Sequence, residues 1–180
     1  MKKYSEYEGG EWVALLCDHP ERAEDCDWEK LKGEDWVRLL ALRPQFLDHC
    51  RWGKLGGKDW VSLLGSEELD SQKDSQFANH CQWEKLSGLD WVCLLSHDPQ
   101  FADHCQWEKL SIVNWCLLLK DQQKFADRCP WERFDGADWS ILLQECPVFA
   151  DRCAWEKLNN TNWADLLQAQ PQLSKYRACR

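Results

Sequence analysis

The sequence predicts an all-α fold: a right-handed superhelical solenoid of seven 24-residue two-helix repeats, one domain over residues 1–180. Three observations carry this. The tryptophans stand at 12 and then in pairs at 28/36, 52/60, 83/91, 107/115, 131/139 and 155/163, with Tyr4 taking the place before Trp12. Successive pairs are 24 residues apart, except for one step of 31 between Trp52 and Trp83. No stretch alternates with the two-residue period of a strand, whereas Trp91, Leu94 and Leu95 show the i, i+3, i+4 spacing of a helix stripe.

The common pattern reads W-E-K-L-x-G-x-D-W-x-x-L-L-x-x-x-P-x-F-A-D-x-C-x. It divides the chain into repeats at 4–27, 28–51, 52–82 (with an insertion), 83–106, 107–130, 131–154 and 155–180, the last a C-terminal cap. The first helix of each repeat opens on a capping position held by Ser87, Ser111, Asp135 or Asn159, with Gly56 acceptable and Glu8 and Lys32 departing. Three residues later stands Glu11, Asp35, Asp59, Asp90, Asn114, Asp138 or Asn162, so the recurring acid reads as a helix-start signal. Pro20, Pro44, Pro99, Pro147 and Pro171 suit the first turn of a second helix, with Ser75 and Gln123 in the other two repeats. Phe101, Ala102 and Cys105 continue it as an apolar stripe, and Trp107 to Leu110 form a short helical return.

A pair of helices this short cannot bury its stripe alone, so neighbouring repeats must stack into a continuous core. End repeats of such an array are atypical. Repeat one has Tyr4, Tyr7 and Arg22 where Trp, Leu and Phe recur, and repeat seven has Leu173 and Arg177 where Phe and Cys recur. In plan the chain resembles the α-solenoids, and its period is similar to that of the leucine-rich-repeat-variant arrays. The Trp/Cys signature differs from that family's motif and from the tetratricopeptide, ankyrin and HEAT motifs. The resemblance therefore implies architecture alone, with no ligand or partner.

The formal net charge of −9 disfavours nucleic acid and anionic lipid as partners and suits a basic protein. No apolar run reaches the length of a membrane span, and Met1 to Glu6 lack the apolar stretch of a secretory signal, so a cytoplasmic protein is expected. Eleven cysteines raise the question of disulfides or metal. Six recur at one slot, Cys26, Cys50, Cys81, Cys105, Cys129 and Cys153. Stacked helices sit about 9 Å apart, beyond the roughly 7 Å reach of a disulfide, so a buried structural role is expected. His49, His80 and His104 precede three of these cysteines, but Asp25, Arg128 and Arg152 share that slot, and Arg cannot ligate zinc. The recurring Glu-Lys pair reads as ladders between repeats or as surface. With no unique constellation, phosphate loop or nucleophile motif, no catalytic, cofactor-binding or metal residue is assigned, and an enzyme is not expected.

Function is then sought where repeats differ. One difference is the insertion at 65–75, an excess of 7 residues that either extends a helix or forms a polar loop. The other lies two residues before and two after the first-helix Trp, positions four apart on one face. They hold Glu34/Arg38, Lys58/Ser62 and Thr161/Asp165 in three repeats, but Leu89/Cys93, Val113/Leu117 and Ala137/Ile141 in repeats four to six. A scaffold that tolerates polar groups there does not need the position buried. Leu89, Cys93, Val113, Leu117, Ala137 and Ile141 are therefore the expected partner-binding residues, with self-association or burial by curvature as the competing uses. Two functions follow as expectations: a protein-binding scaffold whose acidic rim aids a basic partner, or an acidic, antitoxin-like inhibitor of a basic nucleic-acid-binding enzyme.

Overall fold

The computed structural model describes residues 4–65 and 76–177, so the insertion beyond Gly65 lies outside the described residues. Helices and their connections make up the described chain, with no strand among them. The first helix of each repeat is α-helical: α1 (Gly9–Asp18), α2 (Gly33–Leu42), α3 (Gly57–Leu64), α4 (Gly88–His97), α5 (Ile112–Asp121), α6 (Gly136–Glu145) and α7 (Asn160–Ala169). A last turn, α8, spans Ser174–Arg177. Contacts cluster into two compact bodies, residues 1–105 and 106–180. Helices α1 to α4 pack in sequence within the first, and α5 to α7 within the second.

Every first helix starts on the reciprocal hydrogen bond its sequence announces. The N3 side chain accepts from the capping residue's backbone N–H in all seven repeats, at 2.8–3.1 Å, from Glu11 in the first to Asn162 in the last. The other half of the box forms where the cap has a suitable oxygen: Ser87, Ser111, Asp135 and Asn159 accept from the N3 backbone N–H. Lys32 and Gly56 bring no acceptor, and those helices begin on the N3 carboxylate alone.

In five repeats the second helix is 3₁₀ and not α, over Pro20–Asp25, Pro44–His49, Pro99–His104, Gln123–Arg128 and Pro147–Arg152. The reason lies in what it must touch. Three residues per turn put i and i+3 on one edge, so Phe101 and His104 both meet Trp83, at 5.6 and 4.4 Å between ring centroids. An extended Cys then turns the chain into a further single turn of 3₁₀ helix, such as Trp28–Lys30 or Trp155–Lys157.

Three contacts join one repeat to the next. The Leu-Leu pairs close the core between repeats, with the first Leu the less buried in repeat one and the second in repeat seven. Leu39, Leu40, Leu63, Leu64, Leu142 and Leu143 are at most 1% exposed, whereas Leu15 at the start and Leu167 at the end are only half-buried. The recurring Lys reaches back to two backbone carbonyls at the end of the preceding 3₁₀ turn, groups that the short helix leaves without partners. Lys30 Nζ donates to Ser5 and Tyr7 at 2.7 and 2.8 Å, and Lys85 to Gly53 and Leu55 at 2.7 and 2.9 Å. Lys54 and Lys157 repeat the staple. Finally, the glycine at the helix start lies directly against the N3 carboxylate of the next repeat. A Cβ on Gly33 would stand 2.1 Å from Asp59 Oδ2 and 2.7 Å from its Cγ.

That last contact is testable. The Asp59 side chain is pinned by its bond to the Gly56 N–H, so Gly33→Ala should cost about 1–3 kcal/mol in urea denaturation. Gly53→Ala, where a Cβ meets nothing within 4 Å, should leave the midpoint unchanged or slightly raised. Equal effects at the two sites would refute the contact.

Candidate functional site

The His slot belongs to an aromatic stack. In repeat two, Trp36 is fully buried and stacks on Trp28 (5.5 Å, 15°), and Trp28 stacks on His49 (4.5 Å, 10°). The same order recurs as Trp60–Trp52–His80 and Trp91–Trp83–His104. In the second body the outer layer is Arg128 over Trp107 (5.2 Å), Arg152 over Trp131 (5.7 Å) and Tyr176 on Trp155 (4.5 Å). Near-parallel rings and a guanidinium over an indole face are the favoured geometries for these groups. The outer residue also ties back to the preceding repeat, since Arg152 donates to Asp127 at 2.7 Å and the Tyr176 hydroxyl to Asp151 at 2.8 Å. Sequence reading argued against zinc at this slot and missed the stack. Two signals were present: His, Arg and Tyr share a flat delocalised group, and Asp25 breaks the series only in repeat one, where Tyr4 replaces the Trp it would cover.

The recurring cysteines line the core. Cys50, Cys105 and Cys129 are buried, and Cys26, Cys81 and Cys153 partly so. Burial pushes the thiols of Cys26, Cys50, Cys81, Cys129 and Cys153 up to about 12, so at neutral pH they are protonated. Among the described residues no group of three or more His, Cys, Asp or Glu is placed to hold a metal ion, and all ten described cysteines are free thiols.

The six residues of the apolar stripe are all exposed. Leu89 on α4 is 55% exposed and Cys93, one turn on, is exposed as well. In the second body Val113 (64%) and Leu117 (44%) stand on α5, with Ala137 and Ile141 (54%) at the equivalent positions of α6. Beyond the end of this strip Lys120 pairs with Glu145 at 2.7 Å. On α7 the positions become Thr161 and Asp165, also exposed.

Charge does not follow the stripe. Residues 106–180 hold ten acidic and ten basic side chains, so the whole net charge of −9 falls on residues 1–105. Repeat one alone sets eight carboxylates against Arg22. The acidic rim expected beside the apolar strip is concentrated elsewhere. Among the described residues no helix is long and apolar enough to cross a membrane. Compared with models of protein families, the chain matches none, and no curated protein or solved structure matches it.

Two measurements check this account. His104→Ala should cost about 0.5–1.5 kcal/mol, and His104→Arg should restore most of it because a guanidinium occupies the same place in repeats five and six. Identical denaturation midpoints for wild type and His104→Ala would remove the stack's energetic role. In the native protein at neutral pH, iodoacetamide should label Cys93 first, with Cys50 and Cys129 labelled only after unfolding, read by peptide mass spectrometry.

Proposed function

We propose that this chain is a non-enzymatic scaffold that binds a partner protein through the variable face of its first helices. The observation that carries the reading is the exposure of Leu89, Val113, Leu117 and Ile141 at positions filled elsewhere by Glu34, Arg38, Lys58, Ser62, Thr161 and Asp165. Water-exposed aliphatic side chains cost solubility and add nothing to a scaffold that folds with polar groups in the same places. Each residue buried in a complex contributes about 1.5–3 kcal/mol, enough for a few to anchor a specific interface. The reading invokes no cofactor, metal, nucleic acid or membrane. Thiols kept protonated in a core favour a reducing compartment, and we place the protein in the cytoplasm on that ground.

The test is Leu117→Asp combined with Ile141→Asp. Both side chains are exposed, so circular dichroism and the melting temperature should stay close to wild type, while a partner captured by wild-type protein from its own cells should be lost. A properly folded double variant that retains the same partner would end the proposal. Light scattering of purified protein separates self-association, which the same substitutions should abolish, from binding of a different protein.

A second reading is favoured by one observation, the eight carboxylates of repeat one. An acidic, antitoxin-like inhibitor of a basic nucleic-acid-binding enzyme would use them in place of phosphates. It requires affinity that falls steeply between low and high salt, whereas binding through the apolar strip changes little over the same range.

A further inference from the structure

We propose that Cys93 and His97 on α4 form a binding site for a thiophilic divalent cation of the Zn²⁺ class. Two observations meet at this place. Of the ten described cysteines Cys93 alone is exposed, while the others are buried or half-buried. Of the five histidines, His97 alone makes no side-chain contact with a described residue. His49, His80 and His104 stack on Trp28, Trp52 and Trp83, and His19 pairs with Glu21 at 3.2 Å. Cys93 and His97 stand four apart within α4, so they share one face of the helix, and both are exposed. Other repeats supply the control: the same two places hold Arg38 and Leu42, Ile141 and Glu145, or Asp165 and Ala169. The scaffold therefore requires neither a thiol nor an imidazole there, and repeat four is the one that sets two metal-ligating side chains at these places.

Ligands four apart on a helix close on a single ion, as two histidines at that spacing do in zinc-binding helices. Cβ atoms at this spacing are about 5–6 Å apart. Bonds of about 2.3 Å to sulfur and about 2.0 Å to nitrogen bridge that gap. One sulfur and one imidazole nitrogen select Zn²⁺ or Co²⁺ over Mg²⁺ and Ca²⁺, which take oxygen. The carboxylate next in sequence, Asp98, is engaged with Gln100, accepting from its backbone N–H at 3.3 Å and its side-chain amide at 2.6 Å. The chain thus supplies two ligands, and water fills the rest of the shell. On binding, the Cys93 thiol releases its proton to solvent and its sulfur donates an electron pair to the cation, while His97 donates one from a ring nitrogen. The net charge of residues 1–105 draws a cation to this body. Cys93 belongs to the apolar strip, but cation binding needs only His97 beside it and no partner protein.

The experiment titrates the full, untagged and reduced chain with Co²⁺ and reads the sulfur-to-metal charge-transfer absorbance, which requires a thiolate ligand. Wild type should develop the band, Zn²⁺ should displace Co²⁺ and bleach it, and Cys93→Ser should abolish it. The deciding variant is His97→Ala, which keeps the thiol and should weaken Co²⁺ binding at least about tenfold. In parallel, Zn²⁺ should protect Cys93 from iodoacetamide in wild type and fail to do so in His97→Ala at the same concentration, read by peptide mass spectrometry. Both positions are exposed, and melting curves confirm that the variants fold. The proposal is overturned if the band survives Cys93→Ser, which would place the metal on another thiol. It is overturned equally if His97→Ala binds Co²⁺ as tightly as wild type, which would reduce the site to a single thiol, or if wild type gives no band. The Leu117→Asp, Ile141→Asp protein should bind Co²⁺ as wild type does, so loss of the protein-binding reading would leave the metal site standing.

Discussion

Everything in this molecule hangs on the indole at the fourth position of each first helix. Trp12, Trp36, Trp60, Trp91, Trp115, Trp139 and Trp163 are at most 2% exposed, and each carries a ring N–H with no hydrogen-bond acceptor in reach among the described residues. A buried unmade hydrogen bond costs about 1–3 kcal/mol. Burying an indole of about 200 Å² returns about 5 kcal/mol at 25 cal/mol/Å². The ring wins, but by a margin thin enough that its second face cannot go to waste. Hence the layer outside it: a second Trp stacks on the first, and His, Arg or Tyr closes the stack toward water. In a repeat of only 24 residues this stack adds to the few buried aliphatic side chains, such as Leu31, Leu39 and Leu40 in repeat two.

The same shortage of residues explains the bonds between repeats. A 3₁₀ turn of three residues leaves carbonyls that cannot be satisfied within it. The Lys that ends four of these turns, Lys30, Lys54, Lys85 and Lys157, supplies up to three donors to the turn before, which makes this position a register device as much as a surface charge. The glycine–aspartate contact acts in the same direction from the other end of the helix. With the carboxylate fixed by the N-cap backbone, a Cβ on Gly9, Gly33 or Gly57 would run into it, whereas repeat five opens its helix on Ile112 at the equivalent place. Sliding one repeat against the next would break the staple and the glycine contact together.

How much of this was legible beforehand depends on the range of the interaction. The α-helices, their starts and their facing were readable because cap, N3 acid and leucine stripe are contacts within four residues of each other. The second helix was read as a helix, correctly, but its 3₁₀ pitch was not, since Phe101 and Cys105 fit an α-helical i, i+4 spacing as well as anything local can. The tertiary partner decided it: Trp83 demands both Phe101 and His104, three apart. The Lys staple was hidden for a different reason. Its acceptors are backbone carbonyls, which leave no trace in side-chain identity, so Glu-Lys suggested ion pairs, as Glu29 makes with Arg51 and Lys54 between repeats two and three. The exposed strip of Leu89, Val113, Leu117 and Ile141 was legible because a repeat protein supplies its own control, the polar residues at the same place in other repeats.

Repetition also sharpens what counts as evidence for use. In an ordinary domain an exposed leucine or an acidic surface has many explanations, because nothing says what the position would otherwise hold. Here each position is sampled seven times, and the sampling separates two departures that the overall composition merges. Apolar exposure occupies α4, α5 and α6, whereas the excess of negative charge lies in residues 1–105 and is densest in the first repeat. Solubility would spread acids over the apolar strip to mask it, and simple end-capping would need polar residues at the first repeat but not eight carboxylates against one guanidinium. Two kinds of departure in two places fit the two proposed readings, one driven by removing aliphatic surface from water and one by pairing charge.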